Sequence, residues 1–322
     1  MGVKLLLLAS ALAALVPRAW AFEDYPVRPV RMVVGAPAGD STDLTARFVA
    51  PGLAAFFGKP FVVENQPGAT GNVAAIQVAR MPNDGHSLLV VSATFSSNFS
   101  VYPGLPYHPE RDFVPIARLA RLHHVLVVNN TVEAASAREF FSLVRALPDR
   151  ISIASAGSGS TSHLAAELMM LHAGYLSALH VPYRGSAKAL AELLGGHVHA
   201  MVAPVLAVQA HVMSGRLRAL AVASRTRIAA LPQVPTLIEV GVPRFDAASW
   251  VGVVAPARTR YDTVVRLNLA ISDVLRQSAT RRRFSSQGAE PVVETPEEFR
   301  DYLRTEIAKW ARAAKEVESS RK

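Results

Sequence analysis

The amino-acid sequence predicts an α/β fold in which helices cover parallel sheets. Short apolar segments alternate with amphipathic helical patterns almost to the end of the chain, as expected for strands joined by crossover helices. Several of these segments are apolar on both faces, which is typical of strands buried in a parallel sheet. The chain has 322 residues, of which 50% are hydrophobic and 18% charged, a globular composition long enough for about two domains.

Eight segments are predicted to be strands because each is short, rich in apolar residues and bounded by turn-forming residues. In chain order they are residues 30–34, 61–64, 88–92, 125–128, 151–155, 199–203, 217–223 and 251–255. Proline-rich stretches at 102–111 and 231–236 predict loops packed on a surface. Both loops fall where one sheet could pass to another, and two such crossings would give two domains joined by a hinge with a ligand between them.

Helices are predicted where capping and breaking residues bound a helical spacing of apolar residues. The first begins at Thr42 or Asp43, is kinked near Pro51 and ends at Gly58. Two later helices are expected to start near residue 162 and, with a serine as N-cap, at residue 186. The last, from about residue 297, places a wide apolar stripe that includes Trp310 on one face, which predicts that this helix docks on a domain.

The first 21 residues have the pattern of a secretory signal peptide. Lys4 precedes an apolar run, and the small residues Ala19 and Ala21 form a cleavage site that we place after Ala21. The run is shorter than the roughly 20 apolar residues that cross a bilayer, although a retained interfacial anchor is the alternative. The sequence therefore predicts export of a soluble protein.

The composition excludes several classes of chemistry. The chain has no cysteine, so disulfides, thiolate nucleophiles, iron–sulfur clusters and cysteine zinc sites are ruled out. It also lacks the HExxH, GxSxG, P-loop and kinase signatures. The net charge of +9 suits anionic small molecules, acidic surfaces or nucleic acid. We interpret the arginine run at 281–283 as a solvated cationic face, so no nucleic-acid partner is predicted.

Two histidine pairs are the candidates for a metal site. His123 and His124 are adjacent, and His197 and His199 are two apart, but neither pair has a carboxylate at ligand spacing. Packing or surface roles are the alternative that we adopt, and no metal is predicted. Residues 151–162 resemble a dinucleotide fingerprint, yet they lack its third glycine and the acidic residue that follows it, so no cofactor is predicted either.

Four loops rich in glycine, serine, threonine and alanine follow predicted strands, at residues 35–43, 65–71, 93–97 and 154–162. The carboxyl ends of strands are where open α/β sheets bind ligands. Small residues let the main chain approach a ligand, and helix N-termini offer unpaired N–H groups and partial positive charge. This recurrence, without a nucleophile–base pair, predicts capture of a carboxylate or phosphate rather than catalysis.

The loops belong to an ordered set of motifs that runs from about Tyr25 to Trp310 and includes PAGDSTDLTAR, VVENQPGATGN, NDGHSLL, LPYHPERDFVPI, ASAGSGSTSHLAAEL, HVPYRGSAKALAELLGGHV and LPQVPTLIEVG. In these motifs the chain resembles the Bug-type periplasmic solute-binding receptors of the tripartite tricarboxylate transporter family. The resemblance implies a two-lobed clamshell of the periplasmic-binding-protein type II, each lobe a mostly parallel sheet flanked by helices. Residues 22–122 and 246–296 would form the first lobe, and 123–245 and 297–322 the second, with the C-terminal helix packing back on the second lobe.

The resemblance also implies which residues hold the ligand's carboxylate, mainly through main-chain amides and ordered water. In the first lobe these are Pro37, Ala38, Gly39, Asp40, Ser41, Thr42, Gly68, Ala69, Thr70, Thr94, Phe95 and Ser96. In the second lobe they are Gly157, Ser158, Gly159, Ser160, His163, Tyr183 and Arg184. The side chain of Arg184 either forms a bidentate carboxylate contact or bridges loops within its lobe, and His163 either contacts ligand or caps its helix.

Three positions depart from the family pattern. The family usually has Gly-Gly where this chain has Gly39-Asp40, and it has acidic or amide residues where His199 and Pro204 stand. A carboxylate of Asp40 that faced the cleft would repel a second ligand carboxylate and favour a cationic substituent, by around 1–4 kcal/mol at 4 Å. The alternative is that Asp40 points to solvent or helps to cap the helix.

The function implied is a non-enzymatic periplasmic receptor that closes on a small organic acid or amino acid. The receptor, expected to be a monomer, would present its ligand to the membrane subunits of a tripartite tricarboxylate transporter. A ligand-sensing partner of a sensor kinase in a two-component system is an alternative. An exported hydrolase or acyl transferase that uses Ser158 or Ser160 with His163 is a further alternative, since one helical turn separates Ser160 from His163.

Overall fold

The computed structural model describes residues 25–102, 104–243 and 245–320, so the signal-peptide prediction lies outside the described residues. The strands are β1 (Val30–Val34), β2 (Phe61–Asn65), β3 (Ser87–Ser92), β4 (Phe113–Leu122), β5 (His124–Asn129), β6 (Ser152–Ser155), β7 (Leu179–Pro182), β8 (Ala200–Pro204), β9 (Leu217–Val222), β10 (Ser249–Pro256) and β11 (Ala289–Pro291). The helices are α1 (Ser41–Phe57), α2 (Asn72–Ala79), α3 (Thr94–Val101), α4 (Ala137–Ala146), α5 (Thr161–His172), α6 (Ser186–Leu194), α7 (Val205–Met213), α8 (Tyr261–Arg276), α9 (Ser278–Ser286) and α10 (Pro296–Ser320). A short 3-10 turn, Ala69–Gly71, precedes α2.

The strands form two sheets, one in each of two lobes. The first sheet has the order β11-β4-β10-β3-β1-β2, and the second has the order β7-β6-β8-β5-β9. Each sheet buries a hydrophobic cluster on both of its faces, against the helices that join its strands. The predicted two-lobed α/β architecture is thereby confirmed.

Both sheets are mixed, whereas the sequence predicts mostly parallel ones. Strand β10 is antiparallel to β3 and β4, and β5 is antiparallel to β8 and β9. The reason is connectivity, because only His123 separates β4 from β5, so the chain passes straight from one sheet into the other. A strand that enters a sheet from the other lobe runs against the strands that crossover helices have made parallel.

All eight predicted strands are present within one residue of the predicted ends, except that β10 extends two residues further at its start. Three strands are missed: β4, β7 and β11. Strand β4 carries Arg118 and Arg121 on partly exposed positions among its buried ones, so its apolar character is diluted. Strand β7 is a half-exposed edge of its sheet, and β11 has three residues only.

The helices begin slightly earlier than predicted because the capping residues precede the predicted ones. Asp40 caps α1, which continues as one helix through Pro51 and ends at Gly58 as predicted. Ser160 caps α5 by accepting the His163 N–H, two residues before the predicted start. Helix α6 has Gly185, not Ser186, at its N-cap position.

The C-terminal helix α10 packs on both lobes, and not on the second lobe alone as predicted. Its first half places Phe299 and Leu303 against Trp250 of the first sheet, while Trp310 packs on Leu164 of α5 in the second lobe. Between them Glu306, buried in this interface, accepts hydrogen bonds from both indoles at 3.1 and 3.0 Å. The helix reaches both lobes because its 25 residues carry the apolar stripe beyond the face of one lobe. No helix in the described part of the chain has the length and apolar character that a membrane crossing requires.

Candidate functional site

A cavity of about 690 Å³ lies between the two lobes and is lined by both. It collects the loops that follow β1, β2, β3 and β6 with the turn that precedes α6, so the four small-residue loops predicted from the sequence meet here. The predicted residues that line it are Pro37, Asp40, Ser41, Thr42, Gly68, Ala69, Thr70, Thr94, Phe95, Gly157, Ser158, Ser160, Tyr183 and Arg184.

Five predicted residues do not line the cavity, and each has a local reason. Ala38 and Gly39 lie exposed on the outer side of their turn. The hydroxyl of Ser96 is buried and donates to the carbonyl of Ala93 at 2.7 Å. The main-chain N–H of Gly159 donates a hydrogen bond to Nδ1 of His163 at 3.1 Å, so His163 stabilises the turn before α5.

Asp40 joins the N-termini of two helices that belong to different lobes. Its Oδ1 accepts the Thr42 N–H of α1 at 3.0 Å, which makes Asp40 the N-cap of that helix. Its Oδ2 accepts the Ser186 N–H of α6 at 3.2 Å and also the Ser186 hydroxyl. The residue is only 6% exposed and both carboxylate oxygens have partners, so the solvent-facing alternative for Asp40 is wrong.

The turn before α2 is held in an unusual main-chain conformation. Ala69 and Thr70 have φ values of 44° and 55°, in the left-handed region that residues other than glycine seldom adopt. Asn98 of α3 holds the turn because its Nδ2 donates to the Thr70 carbonyl at 3.0 Å and its Oδ1 accepts the Thr70 hydroxyl at 2.9 Å. Asn72 in turn accepts from Asn98 at 2.9 Å and from the Tyr107 hydroxyl at 2.7 Å.

Asn98 lines the cavity but is missing from the sequence prediction, as are Tyr102 and His124. A signal for Asn98 exists in the sequence, since it lies four residues after Thr94 and therefore on the same face of α3. Tyr102 and His124 give no such signal, because they reach the cavity only through the way the two lobes meet.

Two helix N-termini open onto the cavity wall. Thr94 and Phe95 open α3, and Thr161 and Ser162 open α5, in positions where main-chain N–H groups have no partner within the helix. The serine hydroxyls beside α5 are already used, because Ser162 Oγ accepts the Ala156 N–H at 3.0 Å and lies 3.0 Å from Ser160 Oγ. The main-chain N–H groups at the starts of α3 and α5 are therefore donors available to an anion.

One part of the wall is apolar. Leu89, Val90 and Val91 of β3 line it beside Phe95. The ring of Phe95 is fixed by stacking on Tyr107 at a centroid distance of 5.8 Å. The cavity thus combines main-chain donors with an aliphatic surface, which suits an acid group attached to a short hydrocarbon chain.

Contacts across the cleft show the two lobes closed on each other. The Ser97 hydroxyl of the first lobe donates to the Gly159 carbonyl at 2.9 Å, and the Tyr102 hydroxyl donates to the Ser158 carbonyl at 3.0 Å. The Asp40–Ser186 contact is the third of these bridges. Gly157 also lies against Thr70, so a Cβ atom at position 157 would be 2.9 Å from the Thr70 Cγ2 atom.

His124 lies at the hinge and lines the cavity as a neutral side chain. Its Nδ1 donates to the carbonyl of Ala247 at 2.6 Å, which ties the two chain crossings together. Burial lowers the pKa of His124 from 6.5 to about 4, although the hydrogen bond to Ala247 acts in the opposite direction. A group that is uncharged at neutral pH does not contribute a cation for ligand binding.

The remaining histidines of the two predicted pairs have protein partners. His123 contacts Glu290 through Nε2 at 2.9 Å, and His197 contacts Glu192 through Nδ1 at 2.8 Å. Nδ1 of His199 accepts the Ser152 N–H at 3.0 Å. Each histidine therefore supports local structure.

The sequence leaves two possible roles open for Arg184 and two for His163. Arg184 is exposed beside the cavity, next to the Gly185 turn, and Tyr183 lies beside it with its N–H donating to the Ser155 carbonyl at 3.0 Å. The serine–histidine pair suggested for catalysis is not aligned, because Nδ1 of His163 accepts the Gly159 N–H and its ring stacks on His180 at 3.9 Å. The Ser160 hydroxyl accepts from the His163 main chain instead.

Comparison with known proteins shows similarity to one family over most of the chain. Residues 45–318 match the model described as the tripartite tricarboxylate transporter family receptor. The chain is 37% identical over 297 residues to Protein BugT of Bordetella pertussis, covering 92% of this chain and 91% of that protein. It is 34% identical to the UPF0065 protein in the tcbD-tcbE intergenic region of Pseudomonas sp. strain P51, covering 94% and 90% respectively.

Solved structures resemble the whole fold. An R. palustris protein solved with adipate superposes with a TM-score of 0.89 at 33% identity, over 91% of this chain and 98% of that one. MatC from Rhodopseudomonas palustris, solved with bound malate, gives a TM-score of 0.84 at 32% identity, over 90% and 99% of the two chains. Adipate and malate, the molecules bound in those two proteins, are dicarboxylic acids.

Proposed function

This chain belongs to the tripartite tricarboxylate transporter receptor family, and from that premise we propose that its cleft captures a small organic acid by the acid group. The protein is a solute-binding receptor of this family. We propose further that it works without covalent chemistry and that main-chain N–H groups of the cavity wall are the main donors to the ligand's acid group.

The observation that carries the proposal is the convergence of helix N-termini on one cavity. Helices α3 and α5 come from different lobes, and each begins at the cavity wall. The aligned peptide dipoles give each N-terminus a partial positive charge, and its first N–H groups are unpaired. A carboxylate between these helices gains donors from both lobes and so favours the closed form.

The apolar wall indicates what is attached to the acid group. The aliphatic residues Leu89, Val90 and Val91 border the cavity beside the ring of Phe95 and the donors of α3. The adipate and malate bound in the two related structures are acids of this size. We therefore propose aliphatic organic acids of a few carbon atoms as the ligand class.

The residues proposed to contact the ligand are the predicted ones that line the cavity, together with Asn98, Tyr102 and Thr161. Arg184 is proposed to approach the acid group from the rim when the ligand is bound, since its exposed side chain borders the cavity. The closed receptor is proposed to act in the periplasm and to deliver its ligand to membrane subunits of a tripartite tricarboxylate transporter.

Proline substitution at Thr161 tests whether a main-chain N–H holds the acid group. Proline is tolerated at the first position of a helix, and Ser160 before it has a ψ of 158°, the extended conformation that proline requires of its predecessor. Thr161→Pro therefore removes one N–H and preserves the helix. Thr161→Ala is the matched variant, because it removes the hydroxyl and keeps the N–H.

The ligand is first found by thermal-shift screening of mono-, di- and tricarboxylates and amino acids, since an acid at 100 times its Kd adds about 2.7 kcal/mol of stability. Isothermal titration calorimetry with the acid that stabilises most should then show at least tenfold weaker binding for Thr161→Pro, and a smaller loss for Thr161→Ala, because a hydrogen bond to a charged group contributes about 1.5–3 kcal/mol. Equal losses in the two variants would contradict main-chain recognition. Covalent labelling of Ser158 or Ser160 by a fluorophosphonate would contradict the absence of catalysis.

A further inference from the structure

The side chain of Asp40 connects the two lobes. Its carboxylate is an anion of the protein itself, bound at the N-termini of two helices. One carboxylate oxygen accepts the Thr42 N–H at 3.0 Å, and the other accepts both the N–H and the hydroxyl of Ser186 across the cleft. The positive ends of α1 and α6 therefore meet at one acidic group of the protein.

The local backbone is built for this contact. Gly185, immediately before α6, has a φ of 101°, and a Cβ atom there would lie 2.9 Å from Cδ of Pro37 and 3.9 Å from Oδ2 of Asp40. A side chain at position 185 would hold the lobes apart. The hydrogen bonds that the structure gives to Asp40 come from the N–H groups of Thr42 and Ser186 and from the hydroxyls of Ser41 and Ser186.

This arrangement removes one anion position from the cavity and adds a negative charge to its wall. Asp40, Gly185 and Ser186 all line the cavity that is proposed to hold the ligand. A second acid group on the ligand would find the Thr42 N–H of α1 and the N–H and hydroxyl of Ser186 in α6 already bonded to Asp40. It would also meet the Asp40 carboxylate within the same cavity of about 690 Å³, where charges interact more strongly than in bulk water.

We propose that Asp40 is a specificity-determining residue that restricts this receptor to organic acids with one acid group, carrying an uncharged or cationic group at the other end, and excludes dicarboxylates. The inference rests on the proposed function, because it presumes that the ligand binds through an acid group. One carboxylate both caps α1 and lines the cavity, so the two roles that the sequence suggests for Asp40 occur together.

The test uses matched acids of four, six and eight carbon atoms, each as the dicarboxylate, the monocarboxylate and the ω-amino acid. Calorimetry compares the wild-type protein with Asp40→Gly, because glycine is tolerated at an N-cap, and with Asp40→Asn, which keeps a capping oxygen and removes the charge. Asp273→Asn is the control, since this exposed carboxylate on α8 is remote from the cavity lining and its loss changes the net charge equally.

The wild type and Asp273→Asn should bind a monocarboxylate or ω-amino acid at least tenfold more tightly than the dicarboxylate of equal length. Asp40→Gly should lower this ratio at least tenfold, and Asp40→Asn should lower it in the same direction. The role of Asp40 in specificity is overturned if the wild type prefers dicarboxylates, or if Asp40→Gly still binds acids with an unchanged affinity ratio. Either result leaves the proposed function standing. If the folded wild type and the folded Asp40→Gly variant bind none of the acids, the proposed function is overturned and the inference with it.

Discussion

Substitution of Gly157 by alanine should weaken ligand binding by preventing full closure of the cleft. A Cβ atom at this position would lie 2.9 Å from Cγ2 of Thr70 in the other lobe, whereas ordinary contacts begin near 3.4 Å. Overpacking of this kind costs about 1–3 kcal/mol, which corresponds to a roughly fivefold to 150-fold increase in Kd.

The same substitution has a second effect that must be separated from the first. Gly157 has a φ of 135°, which an alanine adopts only with strain of about 1–3 kcal/mol. This strain is present in the open and closed forms alike, so it lowers the stability to unfolding and leaves the closing equilibrium unchanged. Urea denaturation measures the strain, and calorimetric titration with the best acid of the screen measures the clash between lobes.

Thr70→Ser in the Gly157→Ala background isolates the clash. Serine lacks the Cγ2 atom but keeps the hydroxyl that donates to Asn98 at 2.9 Å, so the turn keeps its support. The double variant should recover at least half of the lost binding free energy and none of the lost stability. Wild-type affinity in Gly157→Ala, or a double variant as weak as the single one, would refute the reasoning that these two residues meet on closure.

Three further predictions follow from buried polar groups. Because burial lowers the pKa of His124 from 6.5 to about 4, the unfolded chain binds a proton that the folded protein excludes. The free energy of unfolding should therefore fall by about 3 kcal/mol as the pH drops from 6.5 to 4. His124→Gln should flatten that part of a plot of the urea midpoint against pH. Asn98→Leu leaves the partners of its amide, Thr70 among them, without hydrogen bonds, and should cost about 1–3 kcal/mol in urea denaturation and raise the Kd, while unchanged affinity would contradict its support of the turn. Glu306→Leu removes the acceptor of two indole N–H groups and should destabilise by about 2–4 kcal/mol with a shift in tryptophan emission, whereas Glu306→Gln, which keeps an acceptor oxygen, should lose less.

The parts of the fold that the sequence predicts are those decided by local chemistry. The segment that becomes β3 is buried at five of its six positions, so its apolar run alone identifies it as a strand. Helix α1 ends at Gly58 because the left-handed φ of 65° favours glycine there. Strand β4 escapes prediction because its arginines find carboxylates elsewhere in the chain, such as Glu294 for Arg118 at 2.7 Å. That pairing is a long-range event with no local signature.

The same division applies to the cavity. The small-residue loops are recognisable because the requirement for close main-chain approach selects glycine and serine locally. Tyr102 reaches the cavity by donating to the carbonyl of Ser158, which is 56 residues away and in the other lobe. The prediction that the C-terminal helix packs on one lobe fails for a related reason, since an apolar stripe shows that a helix is covered but not by how many partners.

The hydrogen bonds between the two lobes affect both the affinity and the association rate of the ligand. Asp40, Ser97 and Tyr102 each contribute a hydrogen bond between lobes, and a net gain of about 0.5–1.5 kcal/mol for each favours closure before any ligand is present. An apparent Kd approaches the intrinsic one as the binding-competent form becomes populated. A ligand, however, enters only when these contacts break, so each bridge that raises affinity also slows association. Among the three, Asp40 alone adds a charge to the cavity wall, and it therefore links how readily the cleft closes to which acids it accepts.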